Sequence, residues 1–376
     1  MKRINQLLLW MWVAAISSNA AISLAPDGYH VHPGDNIQDA LQLAAANPTN
    51  KVIKVHAGEY RPTSKRQAMI WFNKKHDGIR LEAEGVVTLT AANSQLATPT
   101  DASFPAVVNH VVYFGDGVSS NTELRGFRIT GANNFVTKEG TAQMEPSLSI
   151  AKNYFFFSDG GAIKVFGRSY PTLQNLEIFD NFTSPCGAGI SVQHQGHTNS
   201  AVVIKNTVFR NNRAQGTGAA IDLLAGSAAR ILNCLFLENV SNTGQDPVAK
   251  TSGERPFVNN GVVTIFWNSY TEVRNCTFLG NRNGIDDMGG ASTYADCIFS
   301  DNKVEAGLKG YERYDLAVNG GARGVTGCFF SGRIHDATRV VSGKVNVLKA
   351  PAPEFNDEFV PRAPDYINAG FRPVPN

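Results

Sequence analysis

The chain has 376 residues, 43% of them hydrophobic, which is ample for a buried core. Its formal net charge of +2 excludes the electrostatic footprint of a nucleic-acid binder and any strong long-range steering of a charged substrate. Charged residues are only 18% of the chain and glycines number 35, which suits a turn-rich β-protein better than a helical one.

Lys2 and Arg3 precede an apolar run over residues 7–16, and Ser18 and Ala20 offer small residues at cleavage positions. This is the pattern of an export signal over residues 1–20. The run is too short to cross a bilayer, which takes about 20 apolar residues. A secreted or periplasmic protein is expected, with no membrane span once the signal is removed. Apolar spacing then predicts a helix over residues 37–46 with Asp35 as its N-cap, followed by a strand over 51–60. Such a helix would cover the open first coil of a stacked fold. From Ile79 the chain reads as strand and turn, with strands predicted over 79–83, 86–90 and 107–114.

A short phrase then recurs. It runs Leu173-Gln-Asn-Leu-Glu-Ile-Phe-Asp-Asn181, and returns at Ile204, Ile231, Val273 and Tyr294, with weaker copies at Leu124 and Val325. A unit that cannot bury its own apolar face must stack on its neighbours, so the repeat predicts a solenoid. The starts are separated by 49, 31, 27, 42, 21 and 31 residues. The long intervals imply inserted loops near residues 131–158 and 241–260. A second phrase follows each first one: Gly160-Gly-Ala-Ile-Lys-Val-Phe166, Gly187-Ala-Gly-Ile-Ser-Val-Gln193, Gly218-Ala-Ala-Ile-Asp-Leu-Leu224, then copies at Gly261 and Gly284. The expected layout is a signal over 1–20, a solenoid over 21–345 and a Pro-rich tail over 346–376 lying along the outside.

Asn181, Asn212, Asn239, Asn281 and Asn302 end the first phrase, and read as a ladder of amides passing hydrogen bonds from coil to coil. Cys234, Cys276, Cys297 and Cys328 share one position of the phrase. Adjacent strands lie about 4.8 Å apart, so a disulfide is sterically open, but a column of small interior hydrophobes is the better account.

The opening Pro33-Gly-Asp-Asn-Ile-Gln-Asp-Ala40, the strand end near Tyr60 and the repeats from 124 to 331 resemble the right-handed parallel β-helix superfamily typified by pectin and pectate lyases. The resemblance implies an all-β, single right-handed parallel β-helix with a short N-terminal capping helix. Its members include polysaccharide lyases, glycoside hydrolases, epimerases and non-catalytic surface proteins. Gly284-Ile-Asp-Asp287 and Gly189-Ile-Ser-Val192 resemble pieces of the polygalacturonase site, but in reverse order, and the glycine-flanked histidine of that site is missing. The arginine-proline motif and aspartate cluster of pectate lyases are also absent, so no catalytic residue carries over.

The residues themselves nominate a site. Strand side chains alternate in and out. Ile163 and Val165 read inward, as do their equivalents in later coils, which leaves Lys164, Ser191, Asp222, Thr264 and Asp286 in an outward column. Arg168, His194, His197, Trp267 and Asp287 lie just beyond. Lys164, His194, Asp222 and Asp286 are the expected catalytic groups. Arg168, His197, Trp267 and Asp287 are the expected substrate-binding groups. Coils about 4.8 Å apart repeat at a spacing comparable to that of sugars in a polymer, and Trp267 can stack on a sugar face. Elimination from a uronic acid needs a base and a cation, supplied by Lys164, an arginine or a histidine. Calcium, if used, would be held by Asp222, Asp286 and Asp287. Hydrolysis needs two carboxyl groups, for which Asp222 with Asp286 is easier than Asp286 with Asp287, because strand neighbours point to opposite faces. Cleavage of an extracellular polysaccharide by β-elimination is the leading expectation, with hydrolysis by paired Asp, or a non-catalytic surface or glycan-binding role, as alternatives. A poly- or oligosaccharide is the expected partner of a monomer. His194-x-x-His197 and His30-x-His32 suggest metal ligands, but neither has a cysteine or carboxylate at a diagnostic zinc spacing.

Overall fold

Each phrase breaks into two short strands because its third residue leaves the extended region. Asn175, Asn206, Asn233, Asn275 and Asp296 sit at φ of 55°, 52°, 51°, 52° and 54°. Asn and Asp reach this left-handed conformation at lower cost than other residues with a Cβ. The eighth residue does the same at Asp180, Asn211, Glu238 and Asp301. The chain therefore turns a corner twice per phrase, and the second phrase supplies a further strand on another face.

These properties build a stack of coils in a computed structural model, which describes residues 22–62, 66–92, 106–134, 159–183, 186–243, 261–289, 291–303, 314–318, 324–335 and 346–374. The expected signal, and most of both expected insertions, lie outside the described residues. Pairing between coils is parallel and in the register of the repeats: Leu124 faces Leu173, then Ile204, Ile231, Val273, Tyr294 and Val325 in turn. The second phrase stacks likewise, with Ile163 beside Ile190, Ile221, Val263, Ile285 and Leu316. It forms a nine-stranded sheet, while both strands of each first phrase join an 18-stranded sheet.

The tube is filled by columns of like residues. Phe209, Phe236, Phe278, Phe299 and Phe330 stack face to face at centroid spacings of 5.0, 4.4, 4.6 and 4.9 Å. Cys234, Cys276, Cys297 and Cys328 are free thiols in the same buried core, as an interior column requires. Glycines bring successive coils together: a Cβ on Gly284 would lie 2.0 Å from the Asp315 carbonyl oxygen.

The asparagine ladder is complete from Asn181 to Asn302. Each Nδ2 donates to the next Oδ1, at 3.1, 2.9, 3.0 and 3.0 Å. The left-handed residues are those before the ladder asparagines, which themselves keep negative φ.

The N-terminal end is closed by specific contacts, and the tail is tied to the side of the stack. Helix α1 (Ile37–Ala46) buries Ile37, Ala40, Leu41 and Ala44. Its N-cap is Asn36, whose side chain accepts from Gln38 N; Asp35, the expected cap, instead accepts from His32 N. The Gln38 amide pairs with both backbone groups of Trp71, at 2.7 and 3.2 Å. It thereby imitates a further strand at the free edge of the nine-stranded sheet. The tail runs back over the outside of the large sheet. Tyr366 packs on Phe329, Gly370 N donates to Asp296 O, and Arg372 N donates to Asn233 Oδ1.

Asn239→Ala should test the ladder. It removes the donor to Phe209 O and the acceptor for Asn212 N, both buried. An expected loss of about 3 kcal/mol follows from unmet buried polar groups at roughly 1–3 kcal/mol each. Urea unfolding measures it, against Trp267→Ala as an exposed control expected to shift stability by no more than about 0.5 kcal/mol.

Candidate functional site

The outward column forms in register: Tyr113, Lys164, Ser191, Asp222, Thr264 and Asp286 are successive partners. It lies outside the tube yet is sealed. Lys164 and Asp286 are 1% exposed and Asp222 is fully buried. The expectation of an open strip of charges is corrected on this point.

Sealing gives the column its chemistry. Lys164 Nζ lies 3.4 Å from Asp159 Oδ2 and 3.2 Å from Ser191 Oγ, and Ser191 donates to Asp159 Oδ2 at 2.6 Å. Thr217 donates to Asp222 Oδ1 at 2.8 Å, and its oxygen is 3.2 Å from Cys186 Sγ. Among the described residues, Asp159 Oδ1 and Asp222 Oδ2 have no hydrogen-bond partner. Burial disfavours every charge here. It pushes the Lys164 ammonium down, and pushes Asp159, Asp222 and the Cys186 thiol up. Burial, and then the neighbouring Asp159 charge, push Asp222 well above the ordinary carboxylate range, against the Thr217 hydrogen bond and the Lys164 charge. Asp286 accepts from Tyr314 Oη at 2.6 Å and Gly261 N at 2.7 Å, but burial outweighs both bonds and pushes it up to about 7.

His194 and Asp287 stand apart from this column. Both His194 ring nitrogens are committed: Nδ1 accepts from Ala228 N and Nε2 donates to Ser169 O. Burial pushes it down to about 4. It is a neutral packing residue under the turn, with no nitrogen free to carry a proton to substrate. Asp287 points into the tube, where Tyr294 Oη donates to it at 2.8 Å. Asp286 and Asp287 therefore face opposite ways, as regular strand requires.

Arg168, His197 and Trp267 lie along one surface edge instead, on separate coils. They lie on turns stacked through Gly167 N to Gln193 O, Gly196 N to Gly226 O and Gly226 N to Trp267 O. Trp267 is 60% exposed. Arg168 makes a two-pronged pair with Asp116, at 3.1 and 2.8 Å. Tyr170 and Tyr270, half-buried, tie this edge down by donating to His197 O and Thr198 O.

Calcium does not fit the expected donors. Asp222 and Asp286 are two coils apart, about 9.6 Å, and Asp287 is inside the tube. One ion needs all its oxygens at about 2.3–2.6 Å. Asp159, Cys186 and Asp222 do converge, but a thiol is the wrong donor for calcium.

Asp159, Cys186 and Thr217 escaped the sequence reading although a signal was present. Each immediately precedes the glycine that opens a second phrase, at Gly160, Gly187 and Gly218. The same position is carried from coil to coil by Gly160 N to Cys186 O and Gly187 N to Thr217 O. An open cleft of about 460 Å³ lies on the large sheet beside the tail. There Arg128 and Arg210 both pair with Glu177, at 2.6 and 2.8 Å, and lie over the Phe179 ring.

Parallel coils and interior ladders define the class as a parallel β-helix. The family comparison agrees: residues 76–260 match the model of the right handed beta helix region. The chain is a right-handed parallel β-helix protein. Comparison with curated proteins and with solved structures gives no match.

The raised Asp286 has a consequence for stability. Between its ordinary value of 3.8 and about 7, the folded protein holds a proton that the unfolded chain has lost. The contribution is fully present below 3.8 and is lost as pH rises through about 7. Asp286→Asn has no such titration. The melting temperature of the variant relative to wild type should therefore climb from pH 4 to pH 7, measured by thermal unfolding across that range.

Proposed function

We propose that the protein is exported and that it binds and cleaves an extracellular polysaccharide, a uronic-acid-containing glycan by β-elimination. One observation carries the reading: a single column holds an amine pushed down and carboxyls pushed up, the inverted pair that acid–base chemistry at neutral pH requires. Lys164, as the neutral amine, would take the proton beside the uronate carboxylate; its Nζ lies 3.2 Å from Ser191 Oγ, one coil closer to Asp222. Asp222, holding its proton, would return one to the leaving oxygen. Arg168, paired with Asp116, and His197 offer polar contacts at the exposed edge, and Trp267 offers a face for a sugar ring.

A second reading is supported by the burial of Lys164, Asp222 and Asp286. A protein that only binds glycan along the Arg168–His197–Trp267 edge needs no access to them. Hydrolysis stands between the two: Asp222 and Asp286, about 9.6 Å apart by register, lie near the upper limit of about 9.5 Å for an inverting pair.

A panel of uronate polymers, followed by ultraviolet absorbance for unsaturated product, tests the reading. Wild type should produce a rise with at least one polymer. Asp222→Asn should lower the rate at least about 100-fold while keeping the melting temperature within a few degrees, because an amide of the same shape replaces a carboxyl that burial pushes toward its neutral form. New reducing ends without absorbance would replace elimination by hydrolysis. Neither signal, with retained glycan binding that Trp267→Ala weakens, would leave the binding role.

A further inference from the structure

At the first coils, on the outer face of the large sheet, the fold assembles a cluster that no linear motif contains. His30, His56 and Glu84 come from three consecutive strands, Gly28–Val31, Val52–Tyr60 and Arg80–Thr90. His30 and Lys54 are paired across the first two, and His56 and Glu84 across the next two. One ligand atom from each of His30, His56 and Glu84 lies within 4.8 Å of the other two. All three side chains are partly open to solvent, at 18%, 29% and 37% exposure.

The hydrogen bonds form a line with one link missing. Asp27 Oδ1 is 3.0 Å from His30 Nε2, and His30 Nδ1 is 2.8 Å from His56 Nε2. His56 Nδ1 is 3.5 Å from Glu84 Oε2. Two neutral imidazoles carry two N–H groups between them, and the line has three gaps. Donation from His30 Nε2 to Asp27 and from His56 Nε2 to His30 fills the first two. The third then sets the His56 Nδ1 lone pair against a carboxylate oxygen. Two donors each about 2.1 Å from a tetrahedral zinc ion stand about 3.4 Å apart, which is the size of that gap.

Charge and support point the same way. Asp27 and Glu84 bring two negative charges, and Lys54, bonded to both at 2.7 and 2.8 Å, brings one positive charge. The excess negative charge favours a cation. The carboxylate on His30 Nε2 is the usual outer partner of a metal-bound histidine, since it fixes the tautomer that leaves the lone pair on Nδ1; on metal binding that nitrogen exchanges its hydrogen bond from His56 Nε2 for the ion. The His32 ring lies flat on His56, 4.2 Å away, and holds its plane.

We propose that His30, His56 and Glu84 bind a divalent transition-metal ion of the zinc class, with Asp27 orienting His30 from outside and solvent completing the coordination. Imidazole and carboxylate donors in this number suit zinc or copper and not calcium or magnesium. The site lies on the large sheet, and the proposal is independent of the glycan reading.

The test uses the full chain, purified without a histidine tag and treated with chelator. Titration with zinc chloride by calorimetry, with metal content after dialysis, should show one ion per chain and a dissociation constant at or below the micromolar range. Zinc should raise the melting temperature, and excess calcium or magnesium should not compete. His56→Ala and Glu84→Gln should each weaken binding at least about 100-fold, and Asp27→Asn about 10-fold. The metal-free His56→Ala protein should melt within a few degrees of metal-free wild type, while losing the zinc-induced rise. Cys186→Ser should leave binding unchanged. The proposal is overturned by the absence of saturable zinc binding, by binding that survives His30→Ala combined with His56→Ala, or by binding that Cys186→Ser abolishes, which would move the ion to the buried Asp159–Cys186–Asp222 cluster.

Discussion

Everything in this molecule depends on the register between one coil and the next. Backbone pairing alone holds parallel strands together but does not choose a register, because sliding by one residue keeps most hydrogen bonds while turning every side chain to the other face. Here the choice is made by buried amides. Each ladder asparagine gives its Nδ2 to the next asparagine and takes a backbone N–H from the previous coil. A slipped coil would strand several of these groups away from water, at roughly 1–3 kcal/mol apiece. The phenylalanine stack and the cysteine column then fall into line because the ladder beside them is fixed.

Fixed register turns a one-dimensional repeat into addressable columns. Interior columns accept almost the same residue in each coil, since each meets the same neighbours. Outer columns have no such constraint, and the sequence varies there: Lys164, Ser191, Asp222, Thr264 and Asp286 occupy one column with four different side chains. Sealing that column from water makes the variation consequential. An amine and carboxyls that would be unremarkable on an open surface are pushed toward their neutral forms, and their neighbours Ser191, Thr217 and Tyr314 hold them in place.

The two ends use the same physics differently. At the N-terminal end, the Gln38 side chain supplies the hydrogen bonds of a missing strand at Trp71. Close by, on the other sheet, Lys54 faces both Asp27 and Glu84 beside His30 and His56, so the outer face carries one negative charge in excess. At the other end, the tail returns along the large sheet and attaches to polar groups at the corners, Asn233 and Asn275 among them. The asparagines that bend the strands thus also serve as anchors for the tail.

By itself the sequence determined the stack, the pairing partners and the in–out alternation. Phrases 21 to 49 residues apart can pair in only one register that keeps the asparagines, cysteines and phenylalanines aligned. It placed the capping helix within one residue of its cap and put Asp286 and Asp287 on opposite faces. What only the tertiary structure decided was exposure and convergence. Periodicity says which side of a strand a residue is on, not whether that side meets water, so Lys164 and Asp222 read as solvated when they are sealed. The bonds that commit His194, and those joining Asp159 to Lys164 and His30 to His56, link different positions of the repeat or different coils. His30-x-His32 looked incomplete as a metal motif because its partners, His56 and Glu84, are brought beside it by stacking of coils and not by nearness in the chain.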